Sequence, residues 1–130
     1  NMPLLRVTQD DINRSKQPAD GWHLFTVEKF VEDDSKDKKS KNYAFECVIV
    51  SDGANKGRYG FARFNSKAMG MIVSSGFLPA VLDRVVDDEV EINPDELVGK
   101  EFWGEIASRT YEGKIQKEFK TYSPSSKIPF

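Results

Sequence analysis

The sequence predicts a mainly β protein, a five-stranded and partly open barrel with a helical connection between its third and fourth strands. Three observations predict it. Most of the aromatic residues fall in five short runs of strand character, residues 22–31, 43–50, 58–64, 101–111 and 114–122. Turn residues separate the first three runs from one another and the last two from each other, as hairpins require. The only stretch with helical caps and spacing of any length lies between the third and fourth runs. At 130 residues, 38% hydrophobic and 31% charged, the chain is one domain with enough apolar surface to fill a core unaided.

Residues 1–20 are polar and read as an irregular segment, in which Thr8 before Asp10 and Asp11 can start one helical turn. The domain proper spans residues 21–123, and residues 124–130 form a tail. The first strand places Trp22, Leu24, Thr26, Glu28 and Phe30 on one face and His23, Phe25, Val27, Lys29 and Val31 on the other. A lysine-rich loop follows over residues 32–42. In the second strand Tyr43, Phe45, Cys47 and Ile49 share an apolar face, which marks Cys47 as a small core residue. Asp52-Gly53 and Gly57 turn the chain into the third strand. There Tyr59, Phe61 and Arg63 oppose Arg58, Gly60, Ala62 and Phe64, and the small Gly60 and Ala62 leave room for a base or a backbone.

Asn65 or Ser66 caps a helix running to about Ser75, with Ala68, Met71, Ile72 and Ser75 as its stripe and Gly76 as its end. Gly70 weakens its middle. Helical character continues over residues 77–86, interrupted near Pro79. Asn93-Pro94-Asp95-Glu96-Leu97 is a capped helical turn that Gly99 ends. In the fourth strand Phe102, Gly104 and Ile106 face the core, opposite Trp103, Glu105, Ala107 and Arg109. Glu112-Gly113 turns into the fifth strand.

Composition narrows the function classes. No apolar run approaches the roughly 20 residues that span a bilayer, and the polar N-terminus has no signal-peptide pattern. Asn1 ahead of Met2 reads as an expression remnant. A single cysteine excludes an internal disulfide and suits a cytoplasmic protein. The single His23 cannot build a metal site or a triad by itself. Net charge is −2, but residues 83–105 hold nine acids and two bases. The rest of the chain carries 17 bases and 12 acids, so a basic groove can coexist with an acidic face.

Three strands, a helical connection and a two-strand hairpin is the order of the OB-fold, whose second and third strands and whose 1–2 and 4–5 loops bind oligonucleotides or oligosaccharides. Here the 1–2 loop carries Lys36, Lys38, Lys39 and Lys41, and the 4–5 hairpin carries Arg109, Tyr111, Lys114 and Lys117. Rings beside cations are what unpaired bases and their phosphates need.

The chain also resembles the OB-fold single-stranded DNA-binding proteins of tailed bacteriophages over about residues 20–123. The residues that carry the likeness are Gly21 opening the first strand, Gly57-Arg58 opening the third, Leu97-Val98-Gly99-Lys100 entering the fourth, and the Tyr111-Glu112-Gly113-Lys114 hairpin, with Tyr122-Ser123-Pro124 after it. The resemblance implies a protein of the host-cell cytoplasm that protects unpaired DNA in phage replication or recombination, alongside a phage or host recombination or replication protein. The Ile128-Pro129-Phe130 end is similar to the partner-recruiting tip of bacterial single-stranded DNA-binding proteins, without the acids that precede that tip.

The expected function is sequence-tolerant binding of single-stranded DNA, with no catalysis, no cofactor and no metal. Dimerisation or side-by-side packing would extend its short footprint. The expected contact residues are Lys36, Lys38, Lys39, Lys41, Arg58, Tyr59, Arg63, Trp103, Arg109, Tyr111, Lys114, Lys117 and Tyr122. Two alternatives stand beside it. One is an OB-fold interaction module that recruits a recombinase or replication protein. The other is a metal-dependent nuclease built on the acids of residues 83–91.

Overall fold

A computed structural model describes residues 2–130. The chain is mainly β. Strands β1 (Gly21–Asp34), β2 (Lys41–Ile49), β3 (Tyr59–Asn65), β4 (Glu101–Tyr111) and β5 (Lys114–Pro124) form one antiparallel sheet in the order β3-β2-β1-β4-β5. The sheet is not closed by hydrogen bonds. Its two edge strands, β3 and β5, meet through side chains instead, where the Phe119 ring of β5 lies against Gly60 of β3 and Gly104 of β4.

The inner face holds Phe25 and Val27 of β1, Phe45, Cys47 and Ile49 of β2, Ala62 and Phe64 of β3, and Phe102 and Ile106 of β4. Burial drives these residues inward, and Cys47 is buried as its apolar neighbours predict. Loss of water pushes the Cys47 thiol well above its usual pKa, which disfavours the thiolate.

Two β-bulges change which rings point inward. In β1 the register passes from Val27↔Cys47 to Lys29↔Glu46, leaving Glu28 as an extra residue. Simple alternation keeps Phe30 beside Glu28 on the outer face. The bulge turns Phe30 inward, where it packs 5.0 Å from the Phe45 ring. In β5 the register passes from Glu105↔Thr121 to Ile106↔Phe119, with Lys120 extra. Phe119 and Tyr122 therefore share the core face. Their ring centroids lie 4.9 Å apart, and Tyr122 also packs on Phe77 and Phe102.

The connection between β3 and β4 is helical but broken. Asn65 caps a 3₁₀ turn at Ser66–Ala68 by accepting from the Lys67 N–H. Helix α2 then covers only Met71–Ser74, and Gly76, at φ 92°, ends it. The break falls at Met69-Gly70, where glycine weakens a helix. The expected stripe of Ala68 and Met71 is exposed; Ile72 and Val73 are the residues that pack on the core. Helix α3 (Phe77–Leu82) buries Phe77, Leu78, Ala80 and Val81. Pro79 does not interrupt it, because it stands in the first turn, where a missing N–H costs no intrahelical bond.

A second 3₁₀ turn at Pro94–Leu97 is capped by Asn93 and buries Leu97. Gly99, at φ 92°, then donates to the Val27 carbonyl at 2.7 Å, while Lys100 accepts from the Val27 N–H. That exchange gives the Leu-x-Gly-Lys entry to β4 its structural meaning. No helix among the described residues is long and apolar enough to cross a membrane.

The N-terminal segment is more ordered than its polarity suggests. Helix α1 (Gln9–Ser15) has a reciprocal capping box between Thr8 and Asp11. The backbone N–H of Thr8 bonded to Asp11 holds that carboxyl below the usual carboxylate range.

Candidate nucleic-acid interface

The tips of the β1–β2 and β4–β5 hairpins and the outer faces of β2 and β3 are where the sequence places the ligand. The β1–β2 tip is built by Ser35 and Asp37. Asp37 accepts from the Ser35 hydroxyl at 2.6 Å and from the Lys39 N–H at 3.0 Å, and both bonds lower its pKa. Lys38 takes a left-handed conformation at φ 59° to close the turn. Lys36, Lys38 and Lys39 are exposed and form no ion pair among the described residues. Lys41 differs. It pairs with Asp34 across the strand ends, and that bond raises its pKa.

At the other hairpin, Glu112 (φ 49°) and Gly113 (φ 76°) form a tight two-residue turn with both residues left-handed. Tyr111 is about half exposed, with the Arg109 guanidinium 5.9 Å from its ring centroid. Lys114 is exposed beside it. Lys117 is engaged elsewhere. Its ammonium meets Asp20 at 2.8 Å, and Asp20 also accepts from Ser108. These two partners, Lys117 first, lower the Asp20 pKa.

On the outer face of β3, Phe61 and Arg63 are exposed and adjacent, with the guanidinium 4.9 Å from the ring centroid. Phe61 is absent from the expected contact residues. Its spacing of two from Arg63 on a half-exposed strand was the signal that could have found it. Between β3 and β5 a cleft of about 310 Å³ runs beside this pair, lined by Phe61, Arg63, Gln116, Lys117 and Glu118 among others.

Besides Lys41 and Lys117, four more expected contact residues are placed differently. Tyr59 is buried. Its hydroxyl donates to Glu28 at 2.9 Å, and the Arg14 guanidinium of α1 lies 4.4 Å over its ring. Burial and the Glu28 carboxylate push the Tyr59 phenol up to about 12. Tyr122 is a core ring because of the Lys120 bulge, and burial raises its pKa far above that of a free phenol. Arg58 donates to the Gln17 carbonyl and to Asn55, both at 3.1 Å, and so anchors the N-terminal segment. Trp103 faces outward on β4, but Phe130 stands edge-on to it at 5.3 Å and its indole N–H is enclosed without a partner. It is not an open stacking platform.

Gly60 and Ala62 are inward and buried, and the group that approaches Gly60 is the Phe119 ring rather than a base. Arg14 also meets Glu28 at 3.1 Å and Glu46 at 3.6 Å, so α1 covers one end of the outer face. No local signal predicted this, since Arg14 and Glu46 are joined only by the fold. The acids of residues 83–91 lie in an exposed segment without helix or strand. No three potential metal ligands converge among the described residues. Comparison with protein-family models and with curated proteins found no match to this chain.

Proposed function

We propose that this chain is a non-catalytic OB-fold protein that binds single-stranded DNA with little sequence preference and acts in phage DNA replication or recombination. The strand order, with its helical connection before β4, fits the OB topology. The observation that carries the reading is the pairing of exposed rings with guanidinium groups, Phe61 with Arg63 and Tyr111 with Arg109, with free lysines at both hairpin tips. A ring presents a face to any base, and an adjacent cation meets the phosphate that follows it. The working contact set is therefore Lys36, Lys38, Lys39, Phe61, Arg63, Arg109, Tyr111 and Lys114.

Glu28 and Glu46 on the same outer face favour a second reading, an interaction module that recruits a recombinase or replication protein. Fluorescence anisotropy with labelled oligo-dT, at two salt concentrations and with a duplex control, separates the two. Single-strand binding should weaken with salt at a log–log slope of about −0.7 per phosphate contacted. Phe61→Ala and Tyr111→Ala should each weaken it by roughly 5- to 150-fold, the equivalent of one lost stack. Absence of binding at low salt refutes the DNA reading and leaves the interaction module.

A further inference from the structure

An apolar groove of about 910 Å³ opens on the far side of the core, between the helical connection and the segment that leads to β4. Phe30, Phe64, Ile72, Val90 and Ile92 contribute to its walls. Glu32, Glu89 and Glu91 are its charged lining residues, and no cation stands among the described residues that line it. Part of one wall, residues 89–92, makes no backbone–backbone hydrogen bond, and apart from the Glu89 N–H, which donates to the Asp88 carboxylate, its amide and carbonyl groups are open to an incoming extended chain.

The same molecule carries an unpartnered segment of matching chemistry. Residues 2–7, Met-Pro-Leu-Leu-Arg-Val, are in no helix or strand. Leu4 is 97% exposed, Leu5 91%, Met2 88% and Val7 70%. Such a run of bare apolar side chains favours burial. Its only charge is Arg6, opposite in sign to the groove lining.

We infer that residues 2–7 of one copy dock in the acidic apolar groove of a second copy. Leu4 and Leu5 enter the pocket, Arg6 meets Glu89 and Glu91, and the segment's backbone pairs with residues 90–92. Segment and groove are different surfaces, so the contact is heterologous. It closes as a reciprocal dimer or continues as a row of subunits. This inference is independent of the nucleic-acid reading, because both surfaces lie outside the proposed contact set.

The test is sedimentation velocity of the full chain over a concentration series without DNA, with circular dichroism confirming that each variant is folded. The full chain should associate as concentration rises. Leu4→Asp with Leu5→Asp, and separately Val90→Asp, should each raise the association Kd by about tenfold or more. Leu4 and Leu5 are almost fully exposed, Val90 is 37% exposed and none of the three belongs to the buried core, so the folded state should survive these substitutions. Arg6→Glu should weaken association, and adding Glu89→Lys and Glu91→Lys should restore it. A full chain that stays monomeric throughout overturns the inference. So does association that survives either aspartate variant, or charge reversal without rescue.

Discussion

Replacing Gly104 with alanine tests how the sheet's two edges are joined. A Cβ at position 104 would lie 2.5 Å from Cε1 and 2.8 Å from Cδ1 of Phe119, and 3.2 Å from Cδ2 of Phe25. Carbon atoms in good contact sit about 3.5–4.0 Å apart, so the Phe119 ring must withdraw by roughly 1 Å. It has little room to do so. Phe25 and Tyr122 flank the ring at centroid distances of 4.8 and 4.9 Å, and Gly60 approaches it from β3. Overpacking of this kind costs about 1–3 kcal/mol. With an unfolding entropy of roughly 2.1 cal/mol/K per residue, a chain of this length should lose about 4–11 °C in Tm. Calorimetry or thermal circular dichroism measures this directly. Phe119→Leu in the same chain should recover part of the loss, because it removes the clashing ring edge. A double-mutant cycle should therefore show strong non-additivity. An unchanged Tm for Gly104→Ala, or strictly additive effects with Phe119→Leu, would refute the view that Phe119 bridges the seam on two glycines.

Three further outcomes follow from the same geometry. Gly70→Ala should stabilise the protein by about 0.4–1 kcal/mol, because Gly70 is αR and its Cβ would meet nothing within 4 Å; chemical denaturation reads the shift in midpoint. Asp20→Asn should lower stability at neutral pH. The native pKa of Asp20 lies below its ordinary 3.8, so its contribution is present above that value and disappears as pH falls through the native pKa. Denaturation of wild type and variant at neutral and acid pH should show the gap closing on the acid side. Tyr59→Phe should make the protein less sensitive to alkali. The native phenol holds its proton to about 12 against 10 when unfolded, so wild-type stability falls as pH rises between those values. Tyrosinate absorbance should lose a late-titrating group in the variant, and the same titration curve in both proteins would contradict the burial of Tyr59.

Strand positions, turns and caps were legible because each has a local chemical cause. Thr8, Asn65 and Asn93 cap where their side chains reach the next free N–H, and Gly76, Gly99 and Gly113 turn where a left-handed residue is needed. The core face of β2, and of β4 at Phe102, Gly104 and Ile106, followed from alternation alone, because no bulge interrupts those positions on either strand's own count. The two hairpin tips were legible as basic for the same reason, since turn residues and lysines occur together in the chain.

What only the tertiary structure decided is which of the rings are available. Phe30, Phe119 and Tyr122 face the core because single extra residues at Glu28 and Lys120 reverse the alternation. A bulge is set by pairing with a neighbouring strand, not by the residues beside it. Arg14 covers Tyr59, Phe130 stands against Trp103, and Asp20 holds Lys117 for a related reason. Each contact joins groups far apart in the chain. Charge and aromaticity are properties of a residue and can be read from the sequence, whereas exposure is a property of what the fold sets beside it.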